Sequence, residues 1–304
     1  MKKSFFIFIL LFCNISFSQN WIPFQWEGDS IGKTYFDKAW ISIPITLNEL
    51  PYKFKMQFDL GAVHSTLYEN NIQDLLIKYP DLKQRIDTNS YVWIQNTKQP
   101  IMQNLQIKLG DLATQKYELA VFKNHGTVAP LDTSNSNSIL IGTIAPDFFQ
   151  NKMLIIDYPN ARLCISDSIP NEYKIASFSN FEQKYGRIFI HFNINGKDKR
   201  LMFDTGSSIF SLITTRRRAN QIAERKIIDK MVVNSWGKNI NVYSKKLDKE
   251  VKFGTTNISS DKVYYCNKYK LLFFMLKIWG ITGNANFLEN TVIVDYKNGK
   301  FGVK

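Results

Sequence analysis

The chain has 304 residues, with 39 Lys or Arg against 26 Asp or Glu, a net charge of +13. That length is enough for one large domain or two lobes, each with its own core. Strong basicity raises nucleic acid as a partner, but the densest basic cluster, Thr214 to Lys226, has no interleaved aromatic residues on which bases would stack, so it reads as a solvated face.

In chain order, the first element is Met1 to Gln19: two lysines, an apolar block from Phe5 to Phe12, then small and polar residues. It predicts a signal peptide over residues 1–18 and an exported chain, periplasmic or secreted. The apolar block is too short to span a bilayer, and the bulk of Phe12 before Cys13 disfavours lipoprotein anchoring. Without that segment the balance is 37 basic against 26 acidic residues, or +11. Such a charge favours anionic envelope or acidic partners.

Ala39 to Ala62 reads as strand, turn, strand, ending in FKMQFDLGA. The alternating apolar run leads straight into Asp59-Leu60-Gly61, a tight turn in which glycine is conformationally cheap. A short helix is expected over YENNIQDLLIKYP, and strands over YVWIQ, NLQIKLG and YELAVF. A polar stretch from Asp167 to Asn180, with Pro170, marks the expected division into an N-terminal lobe (19–168) and a C-terminal lobe (169–304). Gly186 to Ser208 then repeats strand, turn, strand, with Asn195-Gly196 as the hairpin turn, and ends in RLMFDTGSS. A second short helix is expected over RRRANQIAERK, and a buried strand over LLFFML, Leu271 to Leu276. Gly142 to Leu163 also aligns without a gap on Gly280 to Phe301, both carrying Asp-Tyr-x-Asn. The chain therefore reads as a mainly β internal duplication with a few short helices.

A duplicated unit closing about a pseudo-twofold axis would bring Asp59 and Asp204 face to face. Two close carboxyls cannot both ionise easily, so one serves as base while the other serves as acid. On these residues the chain resembles the pepsin-like, bilobal aspartic proteases related to retropepsins. Phe203-Asp204-Thr205-Gly206-Ser207-Ser208 fits the family's Asp-Thr-Gly-Ser loop, and Ile281-Thr282-Gly283 resembles its apolar-apolar-Gly element. The resemblance implies a two-lobed acid-protease fold built on β barrels, Asp59 and Asp204 as the catalytic pair, and Gly61, Thr205, Gly206 and Ser207 as loop supports. It also implies an aromatic flap residue, either Tyr91 or Trp93.

The first loop departs from the pattern. Leu60 replaces the threonine whose hydroxyl would bond across to the other loop. Ala62 replaces the serine that, like Ser207, would donate to its aspartate, so Asp59 is expected to lack a hydroxyl donor that Asp204 has. The sequence reading is thus an exported, monomeric endopeptidase acting on peptides or proteins. Its alternative is a catalytically weakened member that holds peptides in the cell envelope. His64, His125 and His191 have no metal-ligand spacing, and no Walker loop, dinucleotide fingerprint or Gly-x-Ser-x-Gly elbow occurs, so neither metal nor cofactor is implied. Cys164 and Cys266 sit in apolar runs, where they can stay as buried thiols or pair.

Overall fold

A computed structural model describes residues 20–128, 130–131, 138–235, 237–257 and 260–304. The signal-peptide reading and Cys13 lie outside the described residues. Strands dominate, helices are short, and among the described residues no helix is long and apolar enough to cross a membrane.

The described strands form three sheets. In the first, Gln25–Ile31 pairs with Thr34–Leu47, which pairs with Phe54–Phe58; Ile139–Ile144, Thr66–Tyr68, Gln115–Phe122, Thr97–Leu109 and Ile86–Ile94 follow in that order. Ile45 to Leu47 also pairs back onto Ile107 to Leu109, closing most of these strands into a barrel. Alternation explains the packing of the leading strand: Phe54, Met56 and Phe58 point into the core at 1% exposure or less, while Lys55 and Gln57 are half-buried.

The second sheet runs Ala223–Ser235, Lys238–Leu247, Lys262–Tyr265, Leu212–Thr214, Gly280–Thr282, Lys197–Phe203, Arg187–Ile194, Val251–Phe253 and Thr256–Asn257, with Glu182–Lys184 alongside Arg187–Ile194. Its leading hairpin turns at Asn195 and Gly196, both in the left-handed region (φ 51° and 73°), as the sequence predicts. The third sheet joins the others: Trp21–Pro23, Arg162–Ser166, Met153–Asp157, Thr291–Asp295, Lys300–Val303 and Ser177–Asn180. At its centre Ile155 faces Ile293, with Leu154 opposite Val294 and Ile156 opposite Val292, all 0% exposed.

The helix after the first turn is present, Glu69–Lys78, seated by Ile72 and Leu75. Two helix and strand expectations are corrected. The second helix covers only Arg216–Ala219, capped by the Thr215 side chain, and the chain is a strand from Ala223 onward. There Ile227 and Met231 to Val233 pair with the neighbouring strand, and this pairing overrides a helix-like composition. LLFFML is helical instead of a strand: Lys270–Met275 forms a helix whose end closes where the Lys277 N–H donates to Phe274 O and the Ile278 N–H to Phe273 O. Lys277 takes the left-handed conformation this stop requires (φ 53°). Cys164 and Cys266 are both free and buried.

Candidate active site

Each aspartate sits one residue beyond a strand held by a parallel neighbour. Phe58 pairs with Ile144, and the Asp59 N–H donates to Ile144 O at 2.9 Å; Phe203 pairs with Thr282, and the Asp204 N–H donates to Thr282 O at 2.9 Å. Close crossings make this possible: a Cβ on Gly142 would collide with Thr66 O, and one on Gly280 with Ile213 O. These two glycines are therefore the matching pair, although Ala145 stands opposite Gly283 in the gapless alignment.

The two Asp-x-Gly turns lie against each other reciprocally. A Cβ on Gly206 would sit 2.6 to 2.8 Å from the Asp59 carboxyl, and one on Gly61 would run into the Asp204 carboxyl. The carboxyls are close enough to hydrogen bond to each other. Thr205 fastens the pair from below, fully buried: its hydroxyl accepts from the Leu60 N–H at 2.8 Å and donates to Phe58 O at 3.0 Å. Leu60 returns no side-chain bond; it is 0% exposed and belongs to the core. The Thr205 carbonyl is held in turn by Ser208 Oγ (2.9 Å) and Asn284 Nδ2 (2.8 Å).

The donors are divided unequally. Asp59 Oδ1 accepts the N–H groups of Gly61 (2.9 Å) and Ala62 (3.0 Å), whereas no donor among the described residues reaches the buried Asp204 Oδ1. Burial pushes both carboxyls up. At Asp59 this is opposed by the Asp204 hydrogen bond, then by the Gly61 and Ala62 N–H groups and the Arg187 charge. Asp204 is pushed well above the carboxylate range, by burial first and then by the Asp59 charge and hydrogen bond, with only the Gly206 N–H and the Arg187 charge pulling the other way. The proton of the pair therefore rests on Asp204 and the charge on Asp59.

This asymmetry has a different source from the one expected at Ala62 and Ser207. Among the described residues the Ser207 hydroxyl makes no bond to Asp204, and its backbone N–H goes to Asp204 O at 3.1 Å. At Ala62 it is the backbone N–H that donates to Asp59 Oδ1, at 3.0 Å, with no hydroxyl involved.

Arg187 is a functional candidate that sequence reasoning missed. It heads the strand Arg187–Ile194, its Nε donates to Gly61 O at 3.0 Å, and its charge acts on both carboxyls. Nothing in GRIFIHF marks it, because the contact spans 126 positions. Tyr68 is a second: its hydroxyl bonds Thr143 Oγ1 and, at 3.4 Å, Gln57 Oε1, while its ring meets His125 edge-on at 4.6 Å.

Asp59 and Asp204 open on a cleft of about 600 Å³. Tyr91 and Trp93 do not line it. They sit on the hairpin Ile86–Ile94 and Thr97–Leu109, 44% and 59% exposed, their rings 6.1 Å apart with the Lys98 ammonium 4.0 Å above Tyr91. The walls come from two other hairpins. Ile31 and Trp40 project from Gln25–Ile31 and Thr34–Leu47, and Val232, Val233, Asn239 and Ile240 from Ala223–Ser235 and Lys238–Leu247.

No family model matches this sequence, and no curated protein matches it. Among solved structures it is similar to the basic 7S globulin from soybean, at 12% identity over 94% of this chain and 95% of that chain, with a TM-score of 0.47.

Proposed function

We propose that this chain is an exported, single-chain aspartic endopeptidase whose two related halves, 19–168 and 169–304, each contribute one aspartate. The observation that carries this reading is the reciprocal packing of Gly61 on the Asp204 carboxyl and Gly206 on the Asp59 carboxyl. Two acids buried at hydrogen-bonding distance must share a proton, which gives one base and one acid at a single point. The repeated pairing pattern of Phe54–Phe58 with Ile139–Ile144 and of Lys197–Phe203 with Gly280–Thr282 supports the duplication.

In this mechanism an extended peptide enters the cleft with its scissile carbonyl between the carboxyls. Asp59, ionised, takes a proton from a water as the water oxygen bonds to the carbonyl carbon, and Asp204 gives its proton to the carbonyl oxygen. The tetrahedral diol collapses as a proton passes to the amide nitrogen and the C–N bond breaks, leaving a carboxylic acid and an amine. No covalent enzyme intermediate forms. The absence of a return bond from Leu60 favours a second reading, a cleft that holds peptides without cutting them.

A statine-type peptide, whose hydroxyl takes the place of the attacking water, distinguishes these readings. Calorimetric binding together with cleavage of a denatured protein is the expected result. Binding without cleavage establishes the peptide-holding alternative, and absence of both overturns the aspartic-protease reading.

A further inference from the structure

The helix Lys270–Met275 is anchored by one face and apolar on the other. Phe273, at 1% exposure, packs with Phe189, Phe210 and Ile278, and Tyr269 and Leu276 support it. Leu271, Phe274 and Met275, spaced i, i+3 and i+4, project from the opposite face at 67%, 79% and 68% exposure. The end of the helix is held rigidly: Arg200 Nη1 donates to Leu276 O at 3.1 Å, and Arg218 Nη1 to Ile278 O and Trp279 O at 2.8 Å each.

Lysines surround the three apolar side chains. Lys268, Lys270 and Lys277 are exposed and Lys199 is half-buried beside them, and among the described residues none of the four pairs with a carboxylate. The neighbouring acid, Asp198, is occupied by His191 Nδ1 at 2.8 Å. The patch is therefore cationic with a protruding apolar centre.

We infer that this patch docks on an anionic phospholipid surface, with Leu271, Phe274 and Met275 entering the headgroup–acyl boundary and the four lysines meeting lipid phosphates. Three projecting side chains cover a few hundred Å² at most, well short of the roughly 800 Å² a side that a stable protein interface buries. A bilayer imposes no such minimum area. It accepts apolar side chains on a small tip, and its negative surface matches the ring of lysines. The inference stands apart from the catalytic reading.

The test is cosedimentation of the purified protein with vesicles of phosphatidylcholine alone or mixed with phosphatidylglycerol. Binding is expected to the mixed vesicles only, and to weaken with salt. Leu271→Ser and Phe274→Ser should each weaken it about tenfold, and Lys268→Gln, Lys270→Gln and Lys277→Gln each roughly fivefold. All five sites are on the surface, so thermal unfolding should be unchanged. Lys83→Gln, in the short helix Pro80–Gln84, and Lys116→Gln, on the strand Gln115–Phe122, are exposed sites outside the patch and should have no effect. Equal losses from those controls would mean that overall charge drives binding, and would overturn the assignment. So would retained binding in Phe274→Ser, or a dimer in solution that the apolar substitutions abolish while the parent ignores the vesicles.

Discussion

Replacing Thr205 with Val removes one hydroxyl and keeps the shape of the side chain. In the fully buried native site that hydroxyl accepts from the Leu60 N–H and donates to Phe58 O. Both backbone groups would be left without a partner and out of reach of water. At about 1 to 2 kcal/mol for each orphaned group the variant should lose about 2 to 4 kcal/mol, and its Tm should fall by roughly 5 to 15 °C. Thr205→Ser keeps the hydroxyl and should recover most of this loss. Cleavage should suffer more in kcat than in KM, because a loosened dyad misplaces the reacting groups while the cleft walls still hold substrate. Urea unfolding and steady-state kinetics on the three proteins make the comparison. A Val variant as stable as the parent, or a Ser variant as unstable as Val, would refute the assignment of this hydroxyl as the tie between the turns.

Arg187→Met removes a cation that favours the charged form of both carboxyls, so the acidic limb of the cleavage profile, set by ionisation of Asp59, should move up by about one pH unit; an unmoved limb would mean the guanidinium only braces Gly61. Asp204→Asn bears on stability. A folded-state pKa raised by burial contributes stability that is present below the unfolded value and lost as pH rises through the folded one. The amide should therefore raise Tm by roughly 2 to 5 °C at neutral pH and have little effect near pH 3; a lower neutral Tm would contradict a strained, buried acid. Gly61→Ala puts a methyl group into the Asp204 carboxyl, so cleavage should drop at least about a hundredfold while the chain still folds, and near-parental activity would mean the turns are farther apart than described.

The repeated turns were legible because a strand running into Asp-x-Gly leaves a local mark: alternating burial at Phe54, Met56 and Phe58, then a glycine beside a carboxyl. The Asn195-Gly196 hairpin was legible for the same local reason. What escaped depends on contacts distant in sequence. Arg187 reaches Gly61 across the two halves, and the cleft wall comes from Ala223–Ser235, whose charged composition hides its pairing. LLFFML is apolar at every position, so periodicity could not separate a strand from a helix that exposes Leu271, Phe274 and Met275. The Ala62 and Ser207 expectation failed because side-chain identity says nothing about which backbone N–H groups face a carboxylate.

The central claim is that Asp59 and Asp204 together cut peptide bonds. The most direct measurement is digestion of a denatured protein by the parent, Asp59→Asn and Asp204→Asn, purified identically and assayed from acidic to neutral pH. The account predicts cleavage by the parent on a bell-shaped profile, and near-complete loss in both folded variants, because an amide can neither accept nor exchange the shared proton. Equal cleavage by all three proteins would contradict it, placing the activity at another site or in a contaminating protease.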